Sequence, residues 1–119
     1  MPNPPEVPQP LSRFPAEVRD AYLRFASQRD EAALRVVILA AVQDFMPRDE
    51  ANPRTAPLRA DERLVGDLQF DSLAIAETVF FFEDLFRVTI KNDELFALHT
   101  VGELCEFVVG RLREHPPVA

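Results

Sequence analysis

Apolar residues recur at intervals of three and four along most of this chain, and those intervals mark out a succession of amphipathic helices. Phe14, Val18, Ala21, Tyr22 and Phe25 share one face, and Pro15 suits a first turn. This predicts a short helix in the segment 14–28, ending near Ser27. Leu34, Val37, Ile38, Ala41, Val42 and Phe45 form the next stripe, on a helix from about Glu31 to Phe45 that Asp30 or Ser27 can cap and Pro47 closes. A second strong helix is expected from Asp71 to near Phe86. With Asp71 as its N-cap, Phe70 precedes the cap and Ile75 follows in the first turn, the spacing of a hydrophobic staple. Asn92 or Asp93 can open a single-turn helix through Leu98. Thr100 then caps a last helix with Val101, Leu104, Cys105, Val108, Val109 and Leu112 on one face, ended by His115-Pro116-Pro117.

Between these stripes the pattern lapses. Residues 1–10 hold five of the eleven prolines and no periodicity, so residues 1–13 read as a flexible Pro-rich tail. Residues 47–63 form a long connection with Pro47, Pro53 and Pro57, and Leu64, Val65 and Leu68 look like the anchors that tie it back to the helices. Val88-Thr89-Ile90 is too short for a useful strand and reads as a connector with Ile90 set in the core. No alternating segment is long enough to build a sheet, and no repeat is present. The expected fold class is all-α: a bundle of three main helices plus one short helix over residues 29–115, with an extra N-terminal helix.

Composition narrows the classes. At 119 residues, 47% apolar and 28% charged, the chain suits one domain with a modest core. No apolar run approaches the ~18 residues of a membrane span, and Met1-Pro2-Asn3-Pro4-Pro5 lacks the charged-then-apolar order of a secretory signal. A single cysteine leaves no internal disulfide and no Cys-rich zinc site, which fits a reducing cytoplasm. The net charge is −7, and between Gly66 and Glu106 nine acids face only Arg87 and Lys91. So concentrated a negative surface argues against nucleic acid and for partners with basic patches, although a merely solvated acidic face has the same composition.

The informative segment is Asp67-Leu68-Gln69-Phe70-Asp71-Ser72-Leu73. It sets a serine hydroxyl at the start of an amphipathic helix, beside an acid and at the exit of a long loop. Free amides and the helix dipole favour phosphate-bearing groups there. Taken alone, Asp-Ser at a helix start is most often just a cap. The wider context resembles the acyl carrier protein family: Asp71-Ser72-Leu73 stands where that family has its Asp-Ser-Leu attachment signature. Val65-Gly66-Asp67-Leu68 upstream and Glu77, Phe86, Ile90, Thr100 and Val101 downstream lie at matching spacings. The resemblance covers residues 28–114. It departs at Gln69, where a glycine is common, and at Ala74, where an acid is frequent.

The resemblance implies that Ser72, flanked by Asp71 and Leu73, carries covalent 4′-phosphopantetheine derived from coenzyme A, on which acyl groups ride as thioesters. It implies a carrier rather than an enzyme, monomeric, serving fatty-acid, polyketide or specialised lipid synthesis, with aminoacyl or peptidyl cargo as an alternative. The implied partners are a phosphopantetheinyl transferase and acyl-activating, ketosynthase or acyltransferase-type enzymes with basic docking patches. Around Leu73 the docking positions fall on Ala76, Glu77, Phe80, Glu83 and Asp84. Val79, Phe82, Phe86, Ile90 and Leu98 fall where an acyl chain would be lined. The long loop and N-terminal extra point to a specialised carrier.

Phe80-Phe81-Phe82 adds a demand of its own, because three consecutive side chains sweep about 200° of a helix and cannot all enter one core. Phe82 faces inward by the family spacing, leaving Phe80 and also Phe81 for the outside. The N-terminal helix is expected to cover one of them with Phe14, Val18, Tyr22 or Phe25, since burying a Phe is worth roughly 1.5–3 kcal/mol.

Other chemistries fit poorly. A serine hydrolase needs a histidine base and an oxyanion hole, and neither His99 nor His115 stands in a recognisable motif. A calcium loop from Asp61 fails because Arg63, Val65 and Ser72 occupy ligand positions, and no metal site is expected. Cys105 lies in an apolar stripe and reads as structural. The rival from another class is an unmodified helical adaptor that uses its acidic face to bind other proteins.

Overall fold

The computed structural model describes residues 6–47 and 56–114, with the backbone alone at residue 92. Met1–Pro5 of the tail, residues 48–55 of the loop and the closing His115-Pro116-Pro117 lie outside the described residues. Five α-helices follow in order: α1 Ala16–Gln28, α2 Glu31–Phe45, α3 Ser72–Phe86, α4 Asn92–Phe96 and α5 Val101–Glu114. Among the described residues the only β pairing is an isolated antiparallel bridge between Arg63 and Thr100. The fold is all-α.

Local chemistry explains the boundaries. The Asp30 carboxylate accepts from the Ala33 amide at 3.2 Å and caps α2, while Ser27 donates its hydroxyl to the Leu23 carbonyl within α1 and so takes no part in the cap. Arg29 turns the chain between α1 and α2 in the left-handed region, φ 56°. Met46 leaves the helical region just after α2, one residue before Pro47. The short helix α4 stops at Phe96 rather than Leu98; the Glu94 carboxylate accepts from the Lys91 amide at its start.

The core lies between α1, α2, α3 and α5. Val37, Ile38, Ala41 and Val42 of α2 meet Val101, Val108, Val109 and Leu112 of α5 in one buried cluster. Two ion pairs fasten the outside of this seam, Arg35–Glu106 and the two-pronged Arg113–Glu31 at 2.6 Å. The Arg113 guanidinium holds the Glu31 carboxyl below its ordinary value.

Upstream of α1 the structure departs from the tail reading. Gln9–Leu11 form a 3-10 turn beside α3, and Leu11 is fully buried. A lone leucine among prolines has no period to announce it, yet Pro8 and Pro10 pre-set the turn that drives it inward. Val65 also corrects an expectation. It is exposed, and Leu64, Leu68 and Phe70 are the buried anchors of the loop. The backbone turns at Gly66 and Asp67, so the side-chain spacing there is that of a turn and one of the three apolar positions faces water.

Candidate functional site

The segment entering α3 is held by the start of α5. The Leu64 amide donates to the His99 carbonyl, Val101 to Glu62, and Gly102 to Ala60, at 2.8–3.0 Å. Gly102 suits that approach, since a Cβ there would lie 3.1 Å from the Ala60 oxygen and press the two segments a few tenths of an ångström apart. Two carboxylates brace the turn: Glu62, buried, accepts from the Arg59 amide at 2.8 Å, and Asp67, exposed, accepts from the Arg63 amide at 2.7 Å. The Phe70 amide closes the turn on Leu64 at 2.9 Å. The reversal requires a left-handed residue, and Gln69 supplies it at φ 62°. This is the position where the carrier resemblance led one to look for glycine.

Phe70 then enters the core and Asp71 caps α3, its carboxylate accepting from the Ala74 amide at 2.8 Å. Ser72 is the first residue of α3 and is exposed; Leu73 beside it is 67% exposed. The amides of Ser72 and Leu73 have no acceptor among the described residues. The hydroxyl thus stands at the positive end of the helix, with the neighbouring carboxylate already engaged elsewhere. A phosphodiester fits there without being buried.

Along α3 the sequence-assigned residues separate into two sets. Phe80 is 67% exposed, Glu77 and Asp84 are exposed, and Ala76 is half-buried. Glu83 is half-buried and its carboxylate accepts from the Ile90 amide at 3.0 Å, so it anchors the connector to α4 as well as facing outward. Phe45 and Arg87, which sequence reasoning left out, join Glu77, Phe80 and Asp84 around an open depression of about 710 Å³. Val79, Phe82, Phe86 and Ile90 are buried and Leu98 partly so.

Phe81 does not face solvent. It is 8% exposed, with Phe14 at 5.5 Å and Phe45 at 5.4 Å between ring centroids. The covering residue Phe14 precedes α1, while Tyr22 and Phe25 of α1 pack on Phe86 instead. Cys105 is buried, and burial pushes its thiol up. His99 is exposed and donates its amide to the Glu103 carboxylate, which finishes the turn before Thr100 caps α5 at Glu103.

Comparison with known proteins agrees with this geometry. The family model described as the phosphopantetheine attachment site matches residues 37–108. An acyl carrier protein of Beutenbergia cavernae is 34% identical over 73 residues, 61% of this chain and 88% of the relative. The chain belongs to the acyl carrier protein family. Acyl carrier protein MbtL of Mycolicibacterium paratuberculosis is 34% identical over 67 residues, 56% of this chain and 75% of that protein. The acyl carrier protein of Amoebophilus asiaticus is 36% identical over 59 residues, 50% of this chain and 74% of its own length. No solved structure matches significantly. As a member of this family the chain is a carrier rather than an enzyme, and its cofactor is covalent 4′-phosphopantetheine. Among the described residues no helix is long and apolar enough to cross a membrane.

Proposed function

We propose that Ser72 is the attachment residue and that the protein carries acyl groups for a specialised biosynthetic pathway in the cytoplasm. The observation that carries the reading is the exposed hydroxyl at the first position of α3, between the Asp71 cap and the outward Leu73. The Ser72 oxygen forms the new phosphoester bond, its proton passes to the transferase, and adenosine 3′,5′-bisphosphate leaves from coenzyme A. The attached arm supplies a thiol that holds the acyl group as a thioester. The chain's own part is positional: Asp71 fixes the first turn of α3, and the α5 contacts fix the turn before it.

Partner enzymes dock along the same helix. Leu73, Ala76 and Phe80 give a small apolar contact, and Glu77, Glu83 and Asp84 give charge complementary to basic active-site mouths. Electrostatic attraction speeds the encounter while the small contact area keeps it reversible. A carrier must leave each enzyme as readily as it arrives. Specialised use is supported by the likeness to the MbtL carriers and by the added residues before α2.

The test is incubation with coenzyme A, Mg²⁺ and a broad-specificity phosphopantetheinyl transferase, followed by intact-mass and peptide-mass measurement. Wild type gains one phosphopantetheine on the Ser72 peptide and Ser72→Ala gains none. A wild type that stays unmodified, or a Ser72→Ala protein that is still modified, refutes the assignment.

A further inference from the structure

The helix α1 and the turn before it lie outside the stretch matched to the carrier family, residues 37–108, yet they supply core side chains to it. On the inner face of α3 the Phe82 and Phe86 rings stack at 6.0 Å. Tyr22 of α1 stacks on Phe86 at 6.4 Å, and Phe25 of α1 meets the same ring edge-on at 6.4 Å. Phe82 also meets the Phe81 ring at 5.9 Å, and Phe81 is backed by Phe14. Phe82 and Phe86 are each 1% exposed, Phe25 3% and Tyr22 7%.

The site on which this bears lies at the other end of α3. Phe82 is about 15 Å and Phe86 about 21 Å along the helix from Ser72, at 1.5 Å per residue. Any apolar chain sheltered inside the bundle from that end must run past Val79 toward these rings. In a close-packed interior, room opens only when something moves. An aliphatic side chain at the far end could change rotamer. Rings clamped between two helices cannot withdraw unless α1 withdraws with them.

We infer that α1 sets the cargo range of this carrier: Tyr22 and Phe25, packed on Phe86, hold an aromatic floor that keeps an acyl chain out of the bundle. The inference rests on Ser72 being the attachment residue. The cargo it fits is a short acyl group, or one with polar substituents, that tolerates water while it waits for a partner. A long saturated chain stays on the surface and finds shelter only inside a partner enzyme.

The full-length protein is loaded by the transferase from acetyl-, octanoyl- and myristoyl-coenzyme A, each acyl chain carrying a ¹³C-labelled terminal methyl group, with adenosine 3′,5′-bisphosphate released. Intact mass reports loading. Nuclear Overhauser contacts from the labelled methyl to the Phe82 and Phe86 ring protons report shelter. Wild type is expected to load with all three, to show no such contacts, and to keep its Phe82 and Phe86 shifts unchanged across the series. The double variant Tyr22→Ala/Phe25→Ala is expected to show methyl contacts in the octanoyl form. Phe25→Leu alone, which keeps an apolar side chain in place, is expected to show weaker ones. Methyl contacts in octanoyl wild type overturn the inference, and so does their absence from both folded variants, because the floor would then stand without α1. A wild type that gains no mass overturns the Ser72 assignment instead, and this reading with it.

Discussion

Replacing Gln69 by glycine is expected to stabilise the protein, which makes the turn before Ser72 a sharp test of its geometry. Gln69 stands at φ 62°, in the left-handed region that a side chain with a Cβ enters at a cost of roughly 1–2 kcal/mol. Glycine removes that cost and returns about 0.5–1 kcal/mol of it through greater freedom in the unfolded chain. The net gain is about 0.5–1 kcal/mol, or about 2–5 °C in melting temperature for a domain of this size. The hydrogen bonds of the turn run through the backbone, Gln69 N–H to Val65 and Phe70 N–H to Leu64, so glycine keeps them. The Gln69 side chain is exposed and gives up little packing. Gln69→Val is the control of opposite sign, since a β-branched residue is a poorer fit at positive φ.

The assay is urea unfolding followed by far-ultraviolet circular dichroism, with thermal melts in parallel. The order expected is glycine above wild type above valine, with an unchanged m-value. A glycine variant that melts below wild type at constant m refutes the strain argument and gives the Gln69 side chain a role its exposure does not suggest.

Three further outcomes follow from the packing. Phe14→Ala is expected to cost about 3 kcal/mol and to shift the Phe81 ring resonances while leaving those of Phe80, which is exposed and makes no ring contact with Phe14. Glu31 binds its proton less tightly in the folded protein than at its ordinary value of 4.5, so its contribution is fully present above that pH and is lost as the pH falls through the lower folded value. Melting temperatures of Glu31→Gln and wild type, compared from neutrality downward, are therefore expected to differ slightly above pH 4.5 and to converge below it. Cys105 is buried with its thiol pushed up, so maleimide labelling read by mass is expected only on unfolding; prompt labelling of the native protein would contradict its place in α5.

The helices were legible because their apolar stripes are long and their caps are local. Asp30, Asp71 and Thr100 each bind an amide three residues on, an interaction contained in four letters of sequence. The exposed position of Ser72 at the start of α3 was legible for the same reason, since the Asp71 cap lies beside it in the chain. What stayed hidden depends on distant partners. Leu11 is a core residue only because α3 passes beside its turn, and Phe81 is covered only because Phe14 and Phe45 converge on it. Val65 resembled an anchor because the three apolar residues gave no sign of which way the turn at Gly66 would direct them. Glu62 is a buried acid in a charged loop, with nothing in its spacing to separate it from Asp61.

The acidic run from Gly66 to Glu106 also changes meaning once its partners are known. Glu94 and Glu106 are paired with Arg111 and Arg35. Asp67, Asp71, Glu83 and Glu103 each hold a backbone amide in place. Replacing any of these four disturbs a turn or a helix end as well as the surface field, so lost binding in such a variant says little about docking. The side chains of Glu77, Asp84 and Asp93 make no hydrogen bond or ion pair among the described residues. Glu77 and Asp84 flank Phe80 at spacings of three and four, which puts all three on one face of α3, with Leu73 a further turn toward Ser72. The charge free to attract a partner without cost to the fold is therefore concentrated beside the one exposed phenylalanine of that helix. If partner enzymes dock on this face as proposed, a contact so small would steer them onto the Ser72 end of α3 and still release them.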